Sequence, residues 1–150
     1  NVDELCFAHA EIADAFTQLS LRQSEWFVSD DDRFSMQALA DLLRAAQQRG
    51  VLTVDDLYLD EPHVIDLLLS DSVIAARWQD YRRITGTQSG AQKPRNTYAV
   101  KIAAKKRSID PPVRTSNGLR RFTALSADYA TKLAAFRADD FDRWVWAKYE

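Results

Sequence analysis

The 150-residue sequence is poor in cysteine, glycine and histidine, and it contains no long apolar run. Its single cysteine, Cys6, cannot form an internal disulfide, which excludes a disulfide-stapled fold and predicts a reducing, cytoplasmic compartment. Cys6 lies in the apolar stretch LCFA, so we expect its side chain to be buried. The four glycines form neither GxxxxGK nor GxGxxG, which excludes the usual phosphate-binding loops. No stretch approaches the ~20 apolar residues that cross a bilayer, and no signal-peptide pattern is present.

Histidine is as scarce as cysteine, and the two histidines, His9 and His63, lie far apart in the sequence. Metal centres and catalytic triads need His, Cys or carboxylate side chains that converge at defined spacings. His63 follows Pro62 and is interpreted as a surface or cap residue, and Asp14 lies off the helix face that His9 would use. The aspartate runs at 30–32 and 139–142 lack the EF-hand pattern. The sequence therefore predicts no catalytic residue and no metal ligand within this chain.

The net charge of −2 conceals a strong segregation of charge along the chain. Residues 1–76 hold 4 Lys and Arg against 15 Asp and Glu, whereas residues 77–121 hold 12 against 2. No acidic residue occurs between Tyr81 and Ile109. Such asymmetry bears on partners rather than on the fold. It indicates either an anionic ligand or the acidic part of a neighbouring copy.

The first two-thirds of the chain have the apolar spacing of helices. Helices are predicted over about 4–28, 33–49 and 71–84, with shorter helical turns between 53 and 69. Expected N-caps are Asp31 or Asp32 for the second helix, Thr53 in a capping box with Asp56, and Asp60.

After residue 97 the apolar period changes from 3.6 to 2, which indicates strands. The predicted elements are a mobile loop at 86–96, a strand at 97–109, a hairpin at Asn117-Gly118 with strands 113–116 and 119–123, a helix from the cap Ser126 to about Ala138, and a final strand at 143–149. The predicted fold class is α+β, mainly α-helical and then a small antiparallel sheet with one helix. A helical segment at 1–85 and a sheet segment at 97–150 are expected to pack as one C-terminal domain.

The stretch YAVKIAAKKRSIDPPV, residues 98–113, concentrates the positive charge. Alternation places Lys101, Lys105 and Arg107 on one face, and alternate side chains of a strand stand about 6.6–7 Å apart, a spacing that suits a phosphate chain. The alternative is an edge strand whose lysines prevent aggregation. Nucleic acid is disfavoured as a ligand, because no aromatic residues alternate with the basic ones and the pI is about 5.7.

Three stretches resemble the C-terminal region of bacterial HD-type phosphohydrolases, the relatives of deoxynucleotide triphosphohydrolases. They are LRAAQQRGVLTVDDLYLDEPHVIDLLL at 43–69, YAVKIAAKKRSIDPPV at 98–113 and FTALSADYATKLAAF at 122–136. The metal ligands of that family include a His-Asp dipeptide, which this chain lacks, so they are assigned to no residue here.

The resemblance implies that this chain is the regulatory or oligomerisation domain of a metal-dependent phosphohydrolase that acts on nucleotides. A catalytic HD domain and its divalent metal would lie upstream in the same polypeptide, and this chain alone would be inactive and hold no cofactor. The resemblance also implies a homo-oligomer and a phosphate-binding role for Lys101, Lys105, Lys106 and Arg107. The alternative is a stand-alone interaction module whose basic strand docks an acidic protein.

Overall fold

The fold was analysed in a computed structural model, which describes residues 4–149. Its helices are α1 (Ala10–Phe27), α2 (Asp30–Gln48), α3 (Glu61–Ser70), α4 (Ser72–Arg82) and α5 (Ala127–Ala138), with 3₁₀ turns at Asp55–Tyr58 and Phe122–Ala124. Its strands are β1 (Ile84–Gly90), β2 (Ala99–Val100), β3 (Pro112–Thr115), β4 (Gly118–Arg121) and β5 (Trp144–Tyr149). The predicted α+β class is confirmed.

The chain divides into two compact units, each made of two chain segments. The first unit comprises Asn1–Ser29 and Ala103–Phe141, and the second comprises Asp30–Ile102 and Asp142–Glu150. The packing of 1–85 and 97–150 as a single domain stays a prediction.

The first unit packs α1 and α5 against the β3–β4 hairpin. Val113, Tyr129 and Leu133 are almost completely buried in its core. Phe7 adds a parallel bridge beside β3, because its amide donates to the Pro112 carbonyl at 3.0 Å. The predicted hairpin forms, but its turn lies one residue earlier than expected, at Ser116 and Asn117, and Gly118 begins β4 opposite Thr115. Gly118 has φ +98°, a left-handed conformation that suits glycine.

The second unit contains an antiparallel sheet of order β1-β5-β2 and the helices α2, α3 and α4. Phe34 of α2 is buried against Val100 and Val145 of the sheet. A second cluster, which includes Leu42, Leu68 and Ile74, joins the three helices. This arrangement positions one face of α2 and one face of α4 beside the sheet.

Local signals in the sequence correctly predicted three of the capping interactions. The Thr53 hydroxyl and the Asp56 carboxylate bond each other's backbone amides, as a capping box requires. Asp60 accepts from the His63 amide at 3.1 Å, and Ser126 accepts from the Tyr129 amide at 3.2 Å. Within residues 4–149, every helix is too short or too polar to cross a membrane.

Two predictions near the basic stretch were wrong. Residues 86–90 are not loop, because β1 pairs along its length with β5, so that Gln88 lies opposite Trp146. Of the strand predicted at 97–109, only β2 forms, and residues 101–109 pair with no other strand. The reason is the position of its partner, because β5 begins at Trp144, which the register would place opposite Lys101. The residues after Lys101 therefore have no strand of β5 opposite them.

Two smaller predictions near the N-terminal half were also wrong. Asp31 and Asp32 do not cap α2, because that helix already begins at Asp30 and they lie in its first turn. Cys6 is exposed rather than buried, because α1 begins only at Ala10 and the LCFA stretch precedes the helix.

Candidate functional site

The four basic residues predicted to bind phosphate are divided between the two units. Lys101 belongs to the second unit, where its ammonium lies 2.8 Å from a carboxylate oxygen of Asp142. Lys105, Lys106 and Arg107 belong to the first unit. The predicted alternation persists without a sheet, because Lys101, Lys105 and Arg107 are exposed while Lys106 is half-buried.

Lys106 binds backbone carbonyls at the end of α5 in the first unit. Its ammonium donates to the carbonyl of Asp139 at 2.6 Å and to the carbonyl of Arg137, and it lies over the Phe141 ring. A cation at this place satisfies carbonyls that the end of α5 leaves without helical partners. Lys105 and Arg107 differ, since neither makes a hydrogen bond or an ion pair with any residue in 4–149. Their role as phosphate ligands stays a prediction.

A cavity of about 190 Å³ opens between α2, α4 and the sheet of the second unit. Four aromatic side chains line it: Phe34, Tyr81, Tyr98 and Tyr149. The Phe34 and Tyr98 rings meet edge to face, with centroids 5.8 Å apart. Ala38 contributes a small side chain to the wall. The lining therefore combines aromatic rings with aliphatic and charged side chains.

One wall of the cavity is held by the carboxylate of Asp41. It accepts hydrogen bonds from the Tyr98 hydroxyl at 2.7 Å, from Gln37 at 2.8 Å and from Arg44 at 2.8 Å. The hydrogen bond from Tyr98 is the largest cause that lowers the pKa of Asp41 below its usual range. Burial, followed by the bond to Asp41, raises the pKa of the Tyr98 phenol. A neutral phenol and an ionised carboxylate are therefore locked together at neutral pH.

The ring of Tyr81 lines the cavity, while its hydroxyl bonds to the backbone of α2. The hydroxyl lies 3.4 Å from the Ser35 carbonyl, to which it donates, and burial raises the pKa of this phenol. The indole of Trp78 stacks on the Tyr81 ring at 5.7 Å with an interplanar angle of 17°. The ring is thus fixed in place and free to contact a ligand.

Arg77 supplies the unpaired charge of the cavity. Within residues 4–149 its guanidinium makes no hydrogen bond or ion pair, and its charge acts on Tyr98, whose pKa it lowers slightly against the stronger effect of burial. The other charges offset each other, because Asp41 pairs with Arg44, and Asp80 lies 3.8 Å from Arg83. The lining residues and their ion-pair partners therefore carry a net charge of about +1.

This arrangement suits binding rather than proton transfer. The Asp41 carboxylate and the Tyr98 hydroxyl are committed to each other, so neither is poised as a free acid or base. Aromatic side chains beside one unpaired guanidinium favour a planar ring that bears an anionic group. Among residues 4–149, no three His, Cys, Asp or Glu side chains converge as metal ligands do.

Sequence reasoning did not identify this cavity. The sequence places Tyr98 at the start of the basic stretch 98–113 and Tyr81 within the helix predicted at 71–84, but it assigns neither to a site. Asp41 and Arg77 matched no motif and were not identified. The spacing of Gln37, Asp41 and Arg44 at i, i+4 and i+7 is the one local signal that could have indicated an anchored carboxylate.

No family model, no curated protein and no solved structure matches this chain. The similarity to HD-type phosphohydrolases therefore depends on the three quoted stretches alone. The function must be argued from the geometry of the cavity and from the charges beside it.

Proposed function

We propose that this chain is an accessory module that binds a nucleotide and is not itself a catalyst. The base would enter the cavity of the second unit, and the phosphate would bind Arg77. The observation that carries this proposal is the pairing of four aromatic side chains with one unpaired guanidinium in the same cavity. Arginine suits the task because its planar fork binds phosphate oxygens in bidentate fashion.

The size of the cavity limits what can enter it. Cavities of about 150 Å³ hold a benzene ring, whereas sites for whole drug-sized ligands measure about 300–1,000 Å³. At about 190 Å³ the cavity has room for one ring and leaves the sugar and phosphate at its mouth. We therefore expect a pyrimidine base to fit better than a purine.

The wider role follows the resemblance and is part of the proposal. The module would regulate or assemble an HD-type phosphohydrolase, whose catalytic domain and divalent metal lie upstream in the same polypeptide. A cytoplasmic location, which the single cysteine predicts, would expose the module to the cellular nucleotide pool.

Calorimetric titration of the chain with cytidine monophosphate, cytidine and inorganic phosphate tests this proposal. The monophosphate should bind about 10–100-fold more tightly than cytidine, since a charged hydrogen bond contributes roughly 1.5–3 kcal/mol. Inorganic phosphate should bind weakly, because it lacks the ring. Ala38→Leu, which fills the cavity, should weaken binding of the monophosphate at least tenfold.

Ala38→Ser is the matched control for that variant, because it changes the same position with little added volume. It should keep the wild-type affinity, and both variants should show wild-type circular dichroism. Equal affinity for cytidine and its monophosphate, or undiminished binding by a folded Ala38→Leu variant, would refute the cavity as the site.

A second candidate function rests on Lys105 and Arg107, which are exposed and lack partners within residues 4–149. They would dock an acidic protein segment, or bind the phosphate in place of the cavity. The double variant Lys105→Glu, Arg107→Glu separates these possibilities. We expect its affinity for cytidine monophosphate to stay within twofold of wild type.

The double variant Arg114→Glu, Arg120→Glu is the control, because it reverses two exposed charges of the same unit. A tenfold loss of nucleotide affinity confined to the Lys105 and Arg107 variant would move the site to the basic stretch. A loss of binding to an acidic peptide, with nucleotide affinity retained, would assign that stretch to partner docking.

A further inference from the structure

The helix α1 has two apolar faces, and the first unit buries only one of them. Ala13, Thr17 and Leu21 point into the core. On another face, four large side chains are each more than half exposed: Ile12, Phe16, Leu19 and Trp26. We call these four side chains, together with Gln23, the outer stripe. Contiguous apolar patches of this kind mark interaction surfaces in soluble proteins.

The outer stripe has the spacing of a coiled-coil seam. Its residues follow one another at intervals of four, three, four and three, which is the alternation of a and d positions in a heptad. Gln23 is its single polar member, and one polar residue in such a seam fixes register at some cost in stability. The stripe is therefore built to meet another helix.

A groove adjoins the N-terminal end of the outer stripe within the same unit. It has a volume of about 510 Å³, and its apolar wall includes Leu5, Phe7, Phe16 and Pro111. The rings of Phe7 and Phe16 lie 5.4 Å apart, so the groove and the stripe are continuous at Phe16. Trp26, a protruding indole, stands at the opposite end of the stripe.

We infer that the occupant of this surface is a second copy of the chain, paired antiparallel through α1 about a two-fold axis at Leu19. Ile12 and Trp26 each lie seven residues from Leu19, or about 10.5 Å along the helix. An antiparallel pair therefore sets Trp26 of one copy against Ile12 of the other and directs the indole towards the groove. The Trp26 indole and the groove belong to the same molecule, so the surface is self-complementary, as an isologous dimer requires.

The exposed area agrees with a stable dimer. Five stripe and flanking side chains are more than half exposed, namely Ile12, Phe16, Leu19, Trp26 and Phe27, and Leu5 at the groove is almost fully exposed. At roughly 100–180 Å² each, these six side chains supply on the order of 600–1,000 Å², a range that includes the ~800 Å² per partner of a standard interface. A tryptophan that fills an apolar pocket is also a typical hot spot.

Sedimentation equilibrium of the full chain tests this inference. The wild type should behave as two copies of the 17.1 kDa chain. Leu19→Glu and Leu19→Lys each place two like charges at the axis, and each should weaken self-association at least about 100-fold. An equimolar mixture of the two variants should recover the dimer, because opposite charges then meet at the axis.

Leu119→Glu is the matched control, since Leu119 is an equally exposed leucine in the first unit. It should dimerise as the wild type does, and circular dichroism should show that every variant is folded. A monomeric wild type overturns the inference, as does a Leu19→Glu variant that still dimerises. Monomeric single variants whose mixture stays monomeric refute the two-fold axis at Leu19.

Discussion

Asp30→Ala is expected to lower the free energy of unfolding by about 3 kcal/mol, because it takes the carboxylate from a nearly buried guanidinium. Asp30 lies 2.5 Å from Arg33, whose side chain is only 4% exposed, and 3.0 Å from Arg143. Arg33 also donates to the Ile102 carbonyl, where β2 has ended and no ladder partner exists. Loss of the carboxylate therefore removes a charged hydrogen bond from each of two guanidiniums in the second unit, one of them nearly buried.

The effect of Asp30→Ala should depend on pH. Burial would raise the pKa of Asp30, but hydrogen bonds from Arg143, Ser89 and Arg33 together outweigh burial and lower it. A lowered pKa contributes stability above the unfolded value of about 3.9, and that stability is lost as pH falls through the folded-state pKa. The free energy of unfolding of the wild type should therefore exceed that of Asp30→Ala by the whole amount at pH 7, and by a smaller amount below about pH 4.

Urea unfolding at pH 7 and at pH 3 measures both effects. Asp66→Ala is the control, because Asp66 is exposed on α3 and has no partner within residues 4–149, so its removal should change stability by less than about 0.5 kcal/mol. A loss at pH 7 no larger than that of the control would contradict the structural role of Asp30. A difference in stability between the wild type and Asp30→Ala that is as large at pH 3 as at pH 7 would contradict it too.

Arg77→Glu should weaken binding of cytidine monophosphate at least about 30-fold. The change removes a charged hydrogen bond worth roughly 1.5–3 kcal/mol and adds a negative charge that repels the phosphate. Arg77 is exposed and makes no ion pair within residues 4–149, so the substitution should leave the fold intact. Binding of cytidine, which has no phosphate, should change less than twofold.

Arg82→Glu is the matched control for that measurement. Arg82 is exposed on the same helix, outside the cavity lining, and undergoes the same reversal of charge. If both variants lose affinity equally, the loss comes from the overall change of charge on α4 and not from a contact at the cavity. If neither loses affinity, the phosphate does not bind at Arg77.

The parts of the fold that the sequence predicted are those with local causes. The capping box at Thr53, the N-caps at Asp60 and Ser126, and the hairpin, whose turn lies one residue before the predicted position, each depend on residues a few positions apart. The strand β1 and the short length of β2 depend on β5, which lies more than forty residues further along the chain. Periodicity alone gives no information about such a partner.

The same limit applies to the candidate site. Alternation grouped Lys101, Lys105 and Arg107, all of which are exposed, but it could not show that Asp142 pairs with Lys101 or that the end of α5 engages Lys106. The cavity is assembled from α2, α4, the strands β1 and β5, and Tyr98, which directly precedes β2, with Phe34 and Tyr149 over a hundred residues apart. Each lining residue has an ordinary local role, and only the tertiary fold brings them together.

An NMR measurement on the chain saturated with cytidine monophosphate tests most directly whether the base binds in the cavity. We expect intermolecular Overhauser effects between the base protons and the ring protons of Tyr81 and Tyr98. We also expect a phosphorus shift on binding that Arg77→Glu abolishes. Overhauser effects from the base to residues of the first unit, or no bound nucleotide at millimolar concentration, would contradict binding in the cavity.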